Sequence, residues 1–135
     1  MKKSKLEPSN FTKTIGAYSH GISVTIEKAD IIFVTGQIAM DENGNVVEKN
    51  NPSGQAEFVF RNIDMILKEG GGSLEDVVKA QIFLTNMDDF AEISKVRNKF
   101  FLKSKPVSTL VEVNKLVKEG CCVEIEVIAI VNKQL

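Results

Sequence analysis

The chain has 135 residues, 43% of them hydrophobic and 26% charged, with a net charge of −1. That is enough for one domain, residues 1–135, to bury a real core. No apolar stretch approaches the roughly 20 residues of a membrane helix, and the scattered lysines leave no electrostatic footprint for a nucleic-acid backbone. The two cysteines, Cys121 and Cys122, are adjacent, and His20 is the lone histidine. Their spacing fits neither a disulfide framework nor a metal knuckle, so no metal site is expected. The start, Met1 to Pro8, is basic but leads into no apolar run, and a cytoplasmic location is expected.

In chain order, Ile22 to Ile26 and Ile31 to Ile38 predict two strands joined by the turn Glu27-Lys28-Ala29-Asp30. Asn43-Gly44 is a hairpin signal leading into Val46-Val47, which makes a three-stranded opening meander. From Pro52 the period changes. Ala56, Val59, Phe60, Ile63, Ile66 and Leu67 recur at helical spacing, with Ser53 as the cap and Gly70-Gly71-Gly72 as the stop. Val77 to Leu84 predicts a strand. A second helix follows from about Asp88 to Phe101, capped by Asn86 or Asp88, with Phe90, Ile93, Arg97, Phe100 and Phe101 along its stripe. Val107 to Val113 and Val123 to Val131 complete the order βββαβαββ.

The last strand is the most informative. Side chains alternate along a strand, so Val123, Ile125, Val127, Ala129 and Val131 form one apolar face, while Glu124 and Glu126 share the other with Ile128 and Ile130. That second face changes from acidic to apolar along its length, as expected where a strand first borders a cleft and then a covered surface. A glutamate at such a border loses water, and its pKa rises toward the range useful for proton transfer. The alternative is that both glutamates face solvent at a strand end. Right-handed crossovers place both helices on one side of the sheet and leave the other bare. A large apolar patch of this kind predicts a closed homo-oligomer, with clefts between neighbouring subunits.

Several separate segments resemble one family, the Rid or YjgF-like proteins, often labelled translation initiation inhibitors. Ile15-Gly16-Ala17-Tyr18-Ser19-His20-Gly21 resembles the family's Gly-Pro-Tyr-Ser opening, and Val34-Thr35-Gly36-Gln37-Ile38 its Ser-Gly-Gln strand. Gln55 through Asn62 to Ile66 resembles its first helix and Met87-Asp88-Asp89-Phe90 its Asn-Asp-Phe helix start. Pro106 to Val113 followed by Val123 to Ala129 resembles its closing pair of strands. The resemblance implies the chorismate-mutase-like α+β fold, with two helices on one face of a mixed sheet, and a homotrimer that binds a small metabolite in clefts between subunits. It also implies the chemistry of the RidA branch, which hydrolyses reactive imines and enamines such as 2-iminobutanoate and 2-iminopropanoate to keto acids and ammonia. That branch uses no metal or cofactor.

Carried over by position, the resemblance makes Glu124 the water-activating acid and Tyr18 a second catalytic residue, with Gly36, Gln37, Asp88 and Ser108 against the substrate. Three have structural alternatives: Tyr18 as a core anchor, Asp88 as an N-cap and Gln37 as a partner for buried backbone. Ser108 is the departure, because the RidA branch places there an arginine that clamps the substrate carboxylate. A charge-assisted hydrogen bond contributes about 1.5 to 3 kcal/mol and a neutral one about 0.5 to 1.5, so a hydroxyl replaces the fork poorly. Arg61 and Arg97, the only arginines, read as helix-surface or interhelix residues, and Lys105 or Lys115 is the available point charge. Weak activity on 2-iminobutanoate, or another substrate, is therefore expected. The alternative is a non-catalytic metabolite-binding or regulatory trimer. A triad of His20 with Ser108 lacks any orienting group, and action on RNA lacks both a basic stripe and a nuclease constellation.

Overall fold

The computed structural model describes residues 1–14 and 16–133; Ile15, the first residue of the opening motif, lies outside them. Its strands are β1 (Lys2–Leu6), β2 (Gly21–Ile26), β3 (Ala29–Gln37), β4 (Val77–Leu84), β5 (Val107–Glu112) and β6 (Val123–Asn132). The helices are α1 (Pro52–Glu69) and α2 (Phe90–Phe100). All six strands join one sheet in the order β1-β2-β3-β6-β4-β5. The β-branched final run thus becomes a central strand, antiparallel to both β3 and β4, while β4 and β5 run parallel. No helix among the described residues is long and apolar enough to cross a membrane.

The element order βββαβαββ holds, and Ile22 to Ile26 and Ile31 to Ile38 fall in β2 and β3, but the third strand of the opening is Lys2–Leu6 rather than Val46-Val47. Lys2–Leu6 pairs antiparallel with β2 as an edge strand, and Val46 forms only an isolated bridge with Met40. At Asn43-Gly44 the chain does turn, with Gly44 at φ +82°. Asp41 Oδ1 accepts from the backbone N–H of both Asn43 and Asn45, and these side-chain bonds replace a ladder. The cap of α1 is Asn51 rather than Ser53: its side chain accepts from Gly54 N, and Pro52 occupies the first helical position, where no N–H is needed. A 3-10 turn, Met87–Asp89, precedes α2, and Asn86 caps it.

Both helices lie on one side of the sheet. From β6, Val123, Ile125, Val127 and Ala129 are buried with Phe60, Ile63, Ile66 and Leu67 of α1. The inner face of α2 supplies Ile93 and Val96; Phe90, placed on that stripe by the helical period, is exposed instead. Gln55 is a fully buried amide that ties three segments together. Its Nε2 donates to the carbonyls of Val47 and Gly120, and its Oε1 accepts from the backbone N–H of Cys122. Among the described residues no helix covers the other side of the sheet. Phe33, Val111 and Ile130 remain 45%, 39% and 43% exposed there, with Glu124 and Glu126 on the same strand parity as Ile130.

Candidate functional site

The geometry at Glu124 begins with an irregularity in β3. Val34 pairs with Val127 and Gln37 with Ile125, so three steps along β3 match two along β6. The extra residue is a β-bulge at Thr35-Gly36, a device that bends a strand and re-aims what lies beside it. Glu124 lies against this bulge. A Cβ on Gly36 would stand 2.4 Å from Glu124 Oε2 and 2.9 Å from its Cδ, so the carboxyl rests on backbone that only glycine leaves open. Burial raises the pKa of Glu124 above its ordinary value, and the neighbouring charge of Glu126 raises it further.

Glu124 lines a chamber of ≈ 70 Å³ together with Tyr18, His20, Gly36, Gln37 and Lys118. The wall behind it is a hydrogen-bonded relay. Gln37 Nε2 donates to Thr35 O at 3.1 Å and approaches His20 Nδ1 at 3.3 Å, while His20 Nε2 meets Thr12 O. Flipping the amide would set its oxygen against Thr35 O, so the NH2 group faces the histidine. His20 then accepts at Nδ1 and donates at Nε2, which is the neutral tautomer. Both nitrogens are occupied within the wall, and the ring of Phe11 meets the imidazole edge-on at 4.8 Å. The side-chain contacts of His20 are with Gln37 and Thr12, not with Ser108. Nothing local marks a pairing between residues 20 and 37, which the β2–β3 register brings together.

Tyr18 is 45% exposed, which removes the core-anchor reading, and it lies at the rim between this chamber and a second cavity containing Glu126. Four of the predicted residues, Glu124, Tyr18, Gly36 and Gln37, therefore share one chamber. The other two lie elsewhere in the chain. Asp88 is exposed in the turn before α2, where its backbone N–H donates to Asn86 Oδ1. Ser108 pairs with Ala80, which in turn pairs with Val127, so it has the parity of the helix-covered face. Glu124 pairs with Phe83 and has the opposite parity. The two therefore face opposite sides of the sheet. Ser108 opens instead into a groove of ≈ 530 Å³ that also contains Arg97 and Lys105. The cysteines take no part in either cavity, and burial pushes the Cys122 thiol up to about 11. Among the described residues no group of three or more His, Cys, Asp or Glu is placed to hold a metal ion.

The family model described as Endoribonuclease L-PSP matches residues 9–131. A RutC family protein of Pyrococcus abyssi is 38% identical over 129 residues, covering 96% of this chain and 98% of the relative. The 3-aminoacrylate deaminase RutC of Acinetobacter baylyi is 37% identical over 107 residues, covering 78% of this chain and 84% of the relative. Among solved structures, YyfA of Yersinia pestis, a protein of unknown function in the conserved Rid family, superposes with a TM-score of 0.83 at 33% identity, covering 95% of this chain and 98% of that one. With its mixed sheet, its two helices on one face and a match that runs almost end to end, this chain belongs to the Rid family.

Proposed function

We propose that this protein is a cofactor-independent hydrolase of small reactive imines or enamines, working in clefts between the subunits of a homotrimer. One observation carries the reading: a half-buried carboxyl of raised pKa, held against a bulged glycine in a chamber on the uncovered side of the sheet. The deaminase activity named for the Acinetobacter relative supports the reaction class. The bare face, with Phe33, Val111 and Ile130 exposed, supports association, since patches of this kind are energetically costly in water. Opposite parities of Ser108 and Glu124 support a shared site between copies, because only a neighbour's groove can meet the chamber.

In the reaction, Glu124 takes a proton from water as its oxygen bonds to the imine carbon, and the C=N pair moves onto nitrogen. Glu124 returns the proton to that nitrogen. Glu124 then takes the hydroxyl proton of the resulting carbinolamine and delivers it to the amino nitrogen, so that the C–N bond breaks as the C=O bond forms and ammonia leaves. A carboxyl whose pKa is raised by burial suits both halves, because it accepts a proton readily and gives it back. The phenol of Tyr18, at the rim, orients the substrate.

The test is ammonia release from freshly generated 2-iminobutanoate by the wild type and by Glu124→Gln. Turnover by the first that falls at least about 100-fold in the second supports the reading. Equal turnover by both removes Glu124 from the chemistry. Binding of 2-oxobutanoate with no ammonia release, unaffected by the substitution, identifies a non-catalytic metabolite-binding protein.

A further inference from the structure

The amide of Gln37 has a fixed direction. Its nitrogen is fully engaged inside the protein, with Thr35 O at 3.1 Å and His20 Nδ1 at 3.3 Å. Its Oε1 accepts from no group among the described residues, although Gln37 is only 5% exposed. An amide oxygen sealed away without a donor is costly. This one is not sealed, because the buried side-chain atom without a partner among the described residues is Ser104 Oγ. The space that Gln37 lines is the Glu124 chamber, so its oxygen is open to that chamber.

His20 is what keeps the amide from turning over. Its Nε2 meets Thr12 O, a carbonyl that has no hydrogen to give, so the ring proton lies on Nε2 and Nδ1 is a bare acceptor. A reversed amide would set its oxygen against two acceptors, His20 Nδ1 and Thr35 O. Thr12 is itself held, its hydroxyl donating to the carbonyls of Met40 at 2.9 Å and Asp41 at 2.8 Å. Contacts thus run from Met40 and Asp41 through Thr12 and His20 to Gln37, and end on an oxygen facing the chamber. A second oxygen acceptor, the Glu124 carboxyl, lines the same space.

We infer that His20 is a positioning residue: by accepting from the Gln37 amide it turns Gln37 Oε1 toward the substrate, where that oxygen receives an N–H of the nitrogen to be released. The inference rests on the hydrolase reading and deepens it. A nitrogen bearing hydrogen is favoured over an N-alkyl nitrogen or a carbonyl oxygen, which has only lone pairs to set against the amide oxygen. With one N–H held by Gln37, the nitrogen lone pair is left for the proton that Glu124 delivers. Each proton gained makes the remaining N–H groups stronger donors, so the bond to Gln37 tightens as the C–N bond breaks, and a contact that tightens in this way raises the rate.

The experiment compares wild type with Gln37→Leu, His20→Leu and His20→Asn, whose Oδ1 can accept where Nδ1 does. Release of 2-oxobutanoate is followed from 2-iminobutanoate and from its N-methyl imine, whose neutral nitrogen carries no hydrogen. In both leucine variants kcat/KM for 2-iminobutanoate should fall roughly tenfold and change far less for the N-methyl imine, with most of the His20→Leu loss absent from His20→Asn. In mildly alkaline buffer, 15N NMR of the wild type should find the His20 proton on Nε2. Equilibrium binding gives a readout free of catalysis: the wild type should prefer 2-aminobutanoate to 2-oxobutanoate, and each leucine variant should lose about fivefold or more of that preference. Equal losses for the two imines, a binding preference unchanged in the leucine variants, or a proton on His20 Nδ1 overturns the inference. A binding preference that depends on Gln37 and His20, with no 2-oxobutanoate released from either imine, upholds it while refuting the hydrolase.

Discussion

Adding one methyl group at position 36 tests the acid's placement without touching the acid. In Gly36→Ala the new Cβ would meet Glu124 Oε2 at 2.4 Å and Cδ at 2.9 Å, where ordinary contact begins at 3.4 Å. The carboxyl must therefore retreat by about 1 Å, and a misplacement of that size at a reacting group costs on the order of 100-fold in rate. Stability should change far less, because the obstructing atoms belong to the end of a flexible side chain. An off-rotamer glutamate costs about 1.5 kcal/mol at most, which lowers Tm by roughly 6 °C or less in a domain of this size. The assay is kcat for 2-iminobutanoate beside thermal unfolding. A variant that folds normally and keeps wild-type kcat would show that the contact between Gly36 and Glu124 has no part in the chemistry.

The same carboxyl predicts a pH-dependent stability difference. Its folded-state pKa is raised above the ordinary 4.5, so the folded protein binds the extra proton and stability falls as pH rises from 4.5 through the folded value. Glu124→Gln removes that loss: its Tm should exceed the wild type's at pH 7, with the gap closing below pH 4.5, and a lower Tm at pH 7 would contradict the sign. Gln55→Leu strands the carbonyls of Val47 and Gly120 and the N–H of Cys122. At about 1 to 3 kcal/mol per stranded group it should lower Tm by roughly 10 °C or more, and a loss under a few degrees would mean that water replaces the amide. With the Cys122 thiol pushed up to about 11, only about one molecule in a thousand carries the thiolate at pH 8. A disulfide reagent at that pH should label half-buried Cys122 far more slowly in the native protein than after denaturation, and equal rates would refute the raised pKa.

Where local pattern and tertiary structure agreed, boundaries read from the sequence were close. Val77 to Leu84 is β4 as found, and the alternation in Val123 to Val131 separated the buried face from the bare one because a central strand must satisfy both helices and its neighbours. Lys2–Leu6 escaped notice because an edge strand is held through its backbone and only Leu6 needs burial; the lysines that hide it from a hydrophobicity pattern also blunt the edge. The site was legible in part. Resemblance to the family pointed to Glu124, Tyr18, Gly36 and Gln37, which the fold gathers in one chamber. It did not point to the bulge that seats Glu124 against Gly36, since a bulge belongs to the register between β3 and β6 and to neither strand alone. For the same reason the opposite parities of Ser108 and Glu124, and the entry of Arg97 into the groove of Ser108, are properties of strand pairing and helix docking.

The claim that a site is shared between copies is tested most directly by subunit complementation. Glu124→Gln removes the acid from the chamber, and Ser108→Trp fills the groove on an exposed strand; each alone should be inactive on 2-iminobutanoate. Unfolded together in equal amounts and refolded, they assemble at random. If chamber and groove come from different subunits of a ring, about a quarter of the sites regain both intact halves, and about a quarter of wild-type ammonia release should return. A mixture as inactive as its two parents would contradict the account, because a site held within one subunit keeps a defect in every copy.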